Sequence, residues 1–199
     1  MRTGARQVAG LLLAAGGGRR LGGRPKALLA YRGRPLVEHA VRVLRDGGCA
    51  TVTVVLGAGA EQVARDADLT GARVVLNPDW ASGMGSSLRT GIEELPADAS
   101  AVVVTLVDMP GVGADAVARI AAAHIDDGAE LAAATYAGRR GHPVLFASPW
   151  WAQVAASAQG DAGARGFLAE HGSLLRLVEC GDVAEAYDVD TPDDLSRLE

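Results

Sequence analysis

The hydrophobic pattern of the chain alternates between short, continuously apolar runs and segments in which apolar residues recur every three or four positions. Continuous runs of strand length predict buried strands, and the three-to-four spacing predicts amphipathic helices. The predicted strands are Val8–Ala14, Thr51–Leu56, Arg73–Leu76 and Ala101–Val107. The predicted helices are the segment after Pro35 that carries Val37, Ala40, Val41 and Leu44, then Glu61–Ala67 and Ala114–Ile125. This alternation predicts a three-layer, doubly wound α/β fold with a mostly parallel sheet, which binds ligands at the carboxyl ends of its strands.

The pattern is looser from residue 129 onwards. The predicted strands there are Leu131–Thr135 and Pro143–Phe146, on either side of a turn at Gly138–Gly141, and later Leu174–Val178. Pro149–Ala158 and Ala162–His171 are predicted to be helical. Thr191 as N-cap, Pro192 at the first position and the acidic residues that follow predict a last helix.

Length and composition narrow the class of protein. A chain of 199 residues with 49% hydrophobic and 22% charged residues fits a single folded domain, residues 1–199. The net charge of −5 argues against broad nucleic-acid binding, and no apolar run reaches the length of a membrane span. Cys49 and Cys180 lack metal-ligand spacing and fit small buried residues in a reducing compartment. We therefore expect a cytoplasmic protein that binds neither nucleic acid nor membrane.

The segment that follows the first strand is rich in glycine and basic residues. Its glycines, which permit positive φ and close approach of a ligand, are Gly16, Gly17, Gly18, Gly22 and Gly23. Its cations are Arg19, Arg20, Arg24 and Lys26. Exposed backbone N–H groups beside cations suit a chain of phosphates, although a tight strand-to-helix connection is the simpler alternative. Lys26 is followed by Ala27 and no hydroxyl residue, which excludes the common P-loop pattern.

Two aspartates are candidate metal ligands. Asp108 ends the strongest predicted strand, where Pro110 stops the ladder, and a carboxylate at that edge suits Mg²⁺. A helix cap or a solvated turn is the alternative. Asp190 is the natural second ligand, but it stands among acidic residues at a predicted helix start, where such residues usually complement the helix dipole.

The stretch Asn77–Leu88 is the second candidate ligand-binding segment. It combines Gly83 with the hydroxyls of Ser82, Ser86 and Ser87 immediately before a predicted helix, whose N–H groups suit a base or a phosphate. A plain capped helix explains the same residues. Trp80 and Met84, in the same stretch, fit core positions equally well.

Six segments in order resemble the molybdenum cofactor nucleotidyltransferase family, and its cytidylyltransferase branch in particular. They are Leu13-Ala14-Ala15-Gly16 with Arg20, Leu21, Gly22 and Lys26; Asn77-Pro78-Asp79-Trp80 through Leu88; Asp108-Met109-Pro110; Gly141-His142-Pro143-Val144; Gly160 to Arg165; and Asp188-Val189-Asp190-Thr191-Pro192. The resemblance implies a Rossmann-like nucleotidyltransferase fold. It also implies transfer of CMP from CTP to the terminal phosphate of molybdopterin, with release of pyrophosphate, and a transient contact with a recipient molybdoenzyme.

The resemblance also implies roles for individual residues. The nucleotide-binding half is about 1–110, with Leu13, Ala14, Ala15, Gly16, Gly17, Gly18, Lys26, Asn77, Gly83, Ser86 and Ser87 at the nucleotide. The resemblance implies catalytic roles for Arg20, Lys26 and Asp108. It also implies that Asp108 and Asp190 bind Mg²⁺. The acceptor-binding half is about 111–199, with His142, Asp161 and Arg165 at the acceptor; His142 receives no proton-transfer role.

Other functions remain open from the sequence. The first loop is shared with nucleotidyltransferases that use GTP or a sugar or polyol phosphate acceptor. A nucleotide-binding chaperone for the cofactor would keep the cleft without catalysis. Ala15 favours CTP, because the guanylyl branch has glycine at that position and a methyl group takes space that a purine needs.

Overall fold

The computed structural model describes residues 6–198, which form a seven-stranded sheet with helices on both faces. The strands of this sheet are β1 Val8–Ala14, β4 Thr51–Leu56, β5 Arg73–Leu76, β6 Ala101–Leu106, β7 Leu131–Tyr136, β8 Arg139–Ala147 and β9 Leu175–Glu179. A small hairpin pairs β2 Ala30–Tyr31 with β3 Arg34–Pro35. The helices are α1 Leu36–Asp46, α2 Ala60–Asp66, α3 Met84–Glu93, α4 Ala114–Ile125, α5 Trp151–Ser157 and α6 Arg165–Glu170.

The strand order is β5-β4-β1-β6-β8-β7-β9, and every neighbouring pair is parallel except those that involve β8. Strand β8 reverses direction because a tight turn joins it to β7. Ala137 and Gly138 are the central residues of that turn, with φ values of 50° and 77°. Positive φ at both central residues is typical of tight two-residue hairpin turns. The predicted three-layer, mostly parallel α/β fold is confirmed.

Each face of the sheet carries its own apolar core, because successive side chains of a strand point to opposite faces. Leu12 of β1 packs on the face covered by α1, α2 and α4, whereas Leu11 packs on the face covered by α3, α5 and α6. Both side chains are fully buried. Because helices cover both faces of the sheet, side chains on both sides of each central strand are buried. The continuously apolar runs in the sequence predicted this arrangement.

Three local predictions were wrong. The turn predicted at Gly138–Gly141 is shorter: Arg139, Arg140 and Gly141 already belong to β8. Pro35 precedes α1 and lies outside its first turn. The last helix begins at Pro192 as predicted, but it is a 3₁₀ helix, Pro192–Leu198. Thr191 is not its N-cap, because the Thr191 hydroxyl donates to the Asp194 carboxylate where an N-cap would accept from the backbone.

Across residues 6–198, no helix combines the length and the apolar character needed to cross a membrane.

Candidate active site

The glycine-rich segment forms a compact loop at the carboxyl end of β1. Single 3₁₀ turns at Arg19–Leu21 and Lys26–Leu28 shape it, and the carbonyl of Gly18 accepts from the N–H groups of Leu21 and Gly23. Gly18 has φ 56°, and a Cβ at this position would overlap the carbonyl oxygen of Arg24. Glycine is therefore needed at position 18 to close the loop on itself.

Lys26 lies between the two aspartates that the sequence singled out. Its Nζ lies 2.5 Å from Oδ2 of Asp108 and also contacts Oδ1 of Asp190. The Lys26 and Asp108 side chains are only 13% and 18% exposed. Burial alone would lower the pKa of Lys26, but the two carboxylates outweigh it and raise the pKa, so the group remains an ammonium at neutral pH.

The chain segment that carries Asp190 is hydrogen-bonded to the turn that follows β6. The N–H of Val189 donates to the carbonyl of Asp108 at 2.8 Å, and the N–H groups of Asp190 and Thr191 donate to the Asp194 carboxylate. Two acidic residues of this segment therefore have different roles. Asp194 stabilises the local turn, while Asp190 faces Lys26.

The acidic side chains at this point suit a hard divalent cation. Within residues 6–198 no three histidine, cysteine or acidic side chains group together as a complete cage. Two carboxylates suffice for Mg²⁺ when substrate phosphates and water supply the other ligands. Burial raises the pKa of the nearby Asp188, and the negative charges of Asp108 and Asp190 raise it further against the effect of Lys26. Asp108, Asp188 and Asp190 therefore repel one another around Lys26, and a cation would relieve that repulsion.

A cleft of about 660 Å³ opens beside this cluster, and we call it the loop cleft. The predicted site residues that line it are Leu13, Ala15, Gly16, Gly17, Gly18, Arg20, Lys26, Gly83, Ser87, Asp108, Asp161, Arg165 and Asp190. Arg20 is 75% exposed, and its guanidinium lies 3.8 Å from the Asp190 carboxylate. Residues from both ends of the chain therefore meet around one cavity.

Ala14, Asn77 and Ser86 do not line the loop cleft, in contrast to the prediction of direct nucleotide contact. All three are buried. The Asn77 amide donates to the hydroxyls of Ser86 and Ser87 at 2.8 and 3.0 Å, and its carbonyl oxygen accepts from the N–H of Asp79. Asn77 and Ser86 therefore hold the turn before α3 in shape, and Ser87 alone of the two serines faces the cleft.

Trp80 and Met84 also lie in the wall of the loop cleft, partly buried. A Cβ on Gly17 would come within 3.3 Å of the Trp80 ring, and a Cβ on Gly57 would overlap its side chain. The indole therefore lies against the backbone of two glycine turns. The sequence left Trp80 open between core and site, because the two glycines that contact it are distant in the chain.

A second cavity of about 550 Å³, the apolar pocket, adjoins the loop cleft. The two cavities share Leu13, Met84, Leu106, Arg165 and Asp188. The other residues of the apolar pocket are Leu88, Val104, Met109, Tyr136, Arg139, Arg140, Gly141, His142, Val144, Phe146, Ala162, Ala164, Leu168 and Ala186. The site is consequently a two-part cleft with a polar and an apolar side.

The three predicted acceptor residues are distributed over both cavities. Arg165 lines both, and its guanidinium donates to the backbone carbonyl of Asp161 at 3.1 Å, so the alternative of a side-chain ion pair is wrong. Asp161 lines the loop cleft and His142 lines the apolar pocket. Burial lowers the pKa of His142, whose Nδ1 lies 3.3 Å from the carbonyl of Val104, so the ring is neutral at neutral pH.

Arg139 and Arg140 were not among the predicted site residues. Both line the apolar pocket, and β8 begins at Arg139, three residues earlier than a turn at Gly138–Gly141 would allow. Two adjacent arginines between glycines were the only signal in the sequence, and a solvated turn explained them equally well.

Comparison with known proteins identifies relatives over nearly the whole chain. The family described as "MobA-like NTP transferase domain" matches residues 10–174. A protein of Paenarthrobacter nicotinovorans named nicotine blue oxidoreductase is 43% identical over 203 residues, with 96% of each chain covered. A molybdenum cofactor guanylyltransferase of Cereibacter sphaeroides is 33% identical over 202 residues, covering 96% of this chain and 94% of the relative.

Solved structures include similar chains. A homologue of Mycobacterium tuberculosis rv0371c from Mycobacterium sp. strain JC1 superposes with a TM-score of 0.85 at 33% identity, covering 96% of this chain and 94% of the other. Rv0371c of Mycobacterium tuberculosis H37Rv, crystallised in complex with manganese, superposes with a TM-score of 0.81 at 29% identity, covering 96% and 97%.

Proposed function

The chain belongs to the family of MobA-like NTP transferase domains, and we propose that it transfers CMP from CTP to the terminal phosphate of molybdopterin and releases pyrophosphate. The observation that carries this proposal is the convergence of Lys26, Asp108 and Asp190 beside the glycine-rich loop, at the junction with a second pocket. Such an arrangement would allow a triphosphate and an acceptor to bind next to each other. The nucleotide-binding half would be about 1–110 and the acceptor-binding half about 111–199.

The loop cleft would bind the nucleotide through its phosphates. The backbone of Gly16, Gly17 and Gly18 gives a ligand close access, and Arg20 and Lys26 add positive charge. An oxygen of the acceptor phosphate attacks the α-phosphorus in line and forms a new P–O bond. The bond from the α-phosphorus to the bridging oxygen breaks, and pyrophosphate leaves with that electron pair. Lys26 and Arg20 offset the charge that grows on the leaving group.

Asp108 and Asp190 would hold a divalent cation, Mg²⁺ in our proposal. The fit rests on their chemistry, because two carboxylates already share one cationic partner in Lys26. A bound cation would neutralise charge on the substrate phosphates. Manganese in the complex of a relative at 29% identity is consistent with such a site.

The choice of CTP rests on Ala15. Its methyl group is buried, and a Cβ on Gly57 would come within 2.9 Å of it. Ala15, Gly57 and Trp80 therefore leave little free volume at this side of the loop, which favours a pyrimidine over a purine.

Incubation of the protein with Mg²⁺, molybdopterin and each nucleoside triphosphate tests the proposal. We expect pyrophosphate release with CTP and a product whose mass corresponds to the CMP adduct. Preference for GTP would show that the transferred nucleotide is GMP and not CMP. Use of a sugar or polyol phosphate would show that the acceptor is not molybdopterin. Absence of pyrophosphate release with any pair of substrates would overturn the transferase proposal and leave the chaperone alternative.

A second candidate is the reduction of a flat ring compound by a hydride-donating dinucleotide. The apolar walls of the second pocket favour it, and the relative at 43% identity is named an oxidoreductase. The hydride and a proton from solvent would reduce the ring, and the dinucleotide would be oxidised. The test mixes the protein with reduced nicotinamide dinucleotide and a quinonoid dye. Loss of the absorbance of the reduced dinucleotide as the dye is reduced, without pyrophosphate release, would favour this reaction over transfer.

A further inference from the structure

We propose that Asn77 is a positioning residue that fixes the Ser87 hydroxyl as a hydrogen-bond donor toward the loop cleft, and that this donor binds an acceptor atom of the nucleotide base. The inference deepens the proposed function, on which it rests, because it names the type of atom that the base presents at this point. It gives Asn77 a role in base recognition, although Asn77 itself does not line the cleft.

The orientation of the Asn77 amide is fixed by a backbone group. Its carbonyl oxygen lies 2.9 Å from the nitrogen of Asp79, and a backbone N–H only donates. The amide oxygen therefore faces Asp79, and the NH₂ group faces the two serines. The amide nitrogen lies 2.8 Å from the Ser86 hydroxyl oxygen and 3.0 Å from that of Ser87. Both hydroxyl oxygens consequently act as acceptors toward Asn77.

The two serines differ in where their hydroxyl hydrogens point. The Ser86 hydroxyl lies 2.8 Å from the carbonyl oxygen of Gly83 and 3.0 Å from that of Asp79, so its hydrogen is used inside the protein. Within residues 6–198 the Ser87 hydroxyl has no hydrogen bond besides the one that it accepts from Asn77. A serine hydroxyl carries one donor hydrogen, and that of Ser87 is available to the cleft that Ser87 lines.

The burial of Ser87 makes this donor selective. Ser87 is only 4% exposed, although it lines the loop cleft. A buried donor that a ligand leaves without an acceptor costs free energy, so a ligand with an acceptor at this point binds more tightly than one without it. The Ser87 hydroxyl therefore favours a carbonyl oxygen or a ring nitrogen over a C–H or an N–H group.

Helix α3 places Ser87 over the carboxyl ends of two strands. The helix begins with Met84 in the wall of the loop cleft. A Cβ on Gly91 would come within 2.5 Å of Leu11 and 3.0 Å of Val55, so that part of α3 lies over the middle of β1 and β4. Ser87 precedes Gly91 by one helical turn, or roughly 6 Å. It consequently lies where β1 and β4 end.

The residues at these strand ends belong to the side of the cleft where we propose that the base binds. Gly57 follows β4, and a Cβ on it would come within 2.9 Å of Ala15 and overlap Trp80. Ala15 and Trp80 line the loop cleft together with Ser87. Asp108, in contrast, follows β6, on the opposite side of β1 from β4. The Ser87 donor is therefore assigned to the base and not to the leaving phosphates.

Binding of three nucleotides to the full-length protein tests the proposal. The cytosine of CTP has the acceptors O2 and N3. In 2-thio-CTP a weakly accepting sulfur replaces O2, and in 3-deaza-CTP a C–H group replaces N3. Isothermal titration without an acceptor substrate measures each dissociation constant in the absence of transfer. We expect the unmodified protein to bind CTP about two- to tenfold more tightly than one of the two analogues, the usual effect of one hydrogen bond.

Two variants remove this preference by different routes. Ser87→Ala lacks the donor and should bind CTP and that analogue equally. Asn77→Asp keeps the acceptor for the N–H of Asp79, but at about pH 8 its carboxylate accepts from the Ser87 hydroxyl, which turns the hydrogen away from the cleft. Ser86→Ala is the matched control and should keep the preference, because Ser86 accepts the same type of bond from Asn77 and does not line the cleft.

A preference that persists in folded Ser87→Ala, or that Ser86→Ala loses to the same extent, would overturn the proposal. Equal binding of all three nucleotides by the unmodified protein would also overturn it. Persistence of the preference in folded Asn77→Asp would remove the positioning role of Asn77. Ser87→Ala and Asn77→Asp are independent variants, so one tests the proposal if the other does not fold.

Pyrophosphate release is measured on the same proteins. A preference that depends on Ser87 without pyrophosphate release would remove the proposed transfer and keep the donor, whereas CMP transfer with a preference independent of Ser87 would do the reverse. If the protein binds GTP in place of CTP, the same variants are compared with GTP and 6-thio-GTP, in which sulfur replaces the carbonyl oxygen of the base. The choice of CTP can then fail while the inference about Asn77 and Ser87 is still tested.

Discussion

The ammonium group of Lys26 lies 2.5 Å from Oδ2 of Asp108, although 82 positions separate the two residues in the chain. The same ammonium contacts Asp190, so one cation holds together the two carboxylates proposed as metal ligands. Lys26 and a divalent cation would therefore compete for the same oxygens. In the proposed reaction, a bound cation would take over these carboxylates, and Lys26 would become available to the triphosphate.

This competition predicts that Lys26→Met raises the affinity of the nucleotide-free protein for Mn²⁺ several-fold while it lowers turnover. Removal of the ammonium leaves two facing carboxylates, whose repulsion a metal ion relieves. Isothermal titration with Mn²⁺ measures the affinity without any reaction. Arg20→Met is the control: its guanidinium lies 3.8 Å from Asp190 and is 75% exposed, so it should have a smaller effect. Weaker Mn²⁺ binding by Lys26→Met would contradict the competition.

Asp108→Asn keeps the size of the side chain and removes its charge. We expect turnover with Mg²⁺ to fall at least about a hundredfold, which corresponds to the loss of several kcal/mol of transition-state stabilisation. The melting temperature should stay close to that of the unmodified protein, because the asparagine still accepts from Lys26. Near-normal turnover in a folded variant would show that Asp108 is not a metal ligand.

The turn before α3 depends on Gly83, which has φ 114° and packs against the backbone of Gly160. A Cβ at Gly83 would overlap that backbone, so Gly83→Ala should lower both the free energy of unfolding and the affinity for nucleotide. Gly48→Ala is the matched control, because Gly48 also has positive φ, 93°, but has open space around it and does not line the loop cleft. Its cost should be limited to backbone strain, about 1–2 kcal/mol. Equal effects of the two variants in urea unfolding would exclude the steric contact as the cause.

We expect His39 to lower the free energy of unfolding at acidic pH. Its Nε2 is buried without a hydrogen-bond partner in the described residues, and burial lowers its pKa, with Arg32 and Arg42 acting in the same direction. The unfolded chain therefore binds a proton more readily than the folded one. Stability is present above the ordinary histidine pKa of 6.5 and is lost as the pH falls below it.

Urea unfolding of His39→Phe between pH 5 and about 8 measures this contribution. The variant should show a flatter decline toward acid, because it lacks the titratable imidazole. The Tyr31 ring, 4.8 Å from the ring of residue 39, can pack against the phenyl group. His142, whose pKa burial also lowers, leaves a residual decline. An unchanged slope in His39→Phe would assign the acid sensitivity to other groups.

The sequence predicted the layers of the fold and the aspartate pair for different reasons. Strands such as β1 and β6 must be continuously apolar when helices cover both faces, and this pattern is visible without a structure. Asp108 follows from its place at a strand end. Asp190 came from a family resemblance, because acidic residues near a helix start have a simpler local explanation.

The remaining site residues depend on contacts that a linear pattern does not contain. Asn77 resembles a ligand contact in sequence, but its amide is used on Ser86 and Ser87 inside the protein. Arg139 and Arg140 were assigned to a turn at Gly138–Gly141. The turn instead begins at Ala137, whose positive φ is unusual for a residue with a Cβ and is not visible in the sequence pattern. Only the folded hairpin brings these two residues to the lining of the apolar pocket.

The last prediction concerns the base, and it rests on the methyl group of Ala15. That group is buried, and the packing of Trp80 on Gly57 and Gly17 prevents the surrounding wall from receding. CTP should therefore be used in strong preference to GTP. Ala15→Gly should narrow the difference by about 1–3 kcal/mol, the usual contribution of one methyl contact, without reversing it, because Ser87 and its neighbours also shape the pocket.

Competition between the two triphosphates, measured as the ratio of kcat/KM, tests the role of Ala15. Ala81→Gly is the control, because Ala81 is an exposed alanine in the wall of the same cleft and its replacement should leave the ratio unchanged. Equal use of GTP and CTP by the unmodified protein would remove the cytidylyl assignment. Membership of the NTP transferase family would stand, since it rests on the match over residues 10–174 and not on the base that the cleft selects.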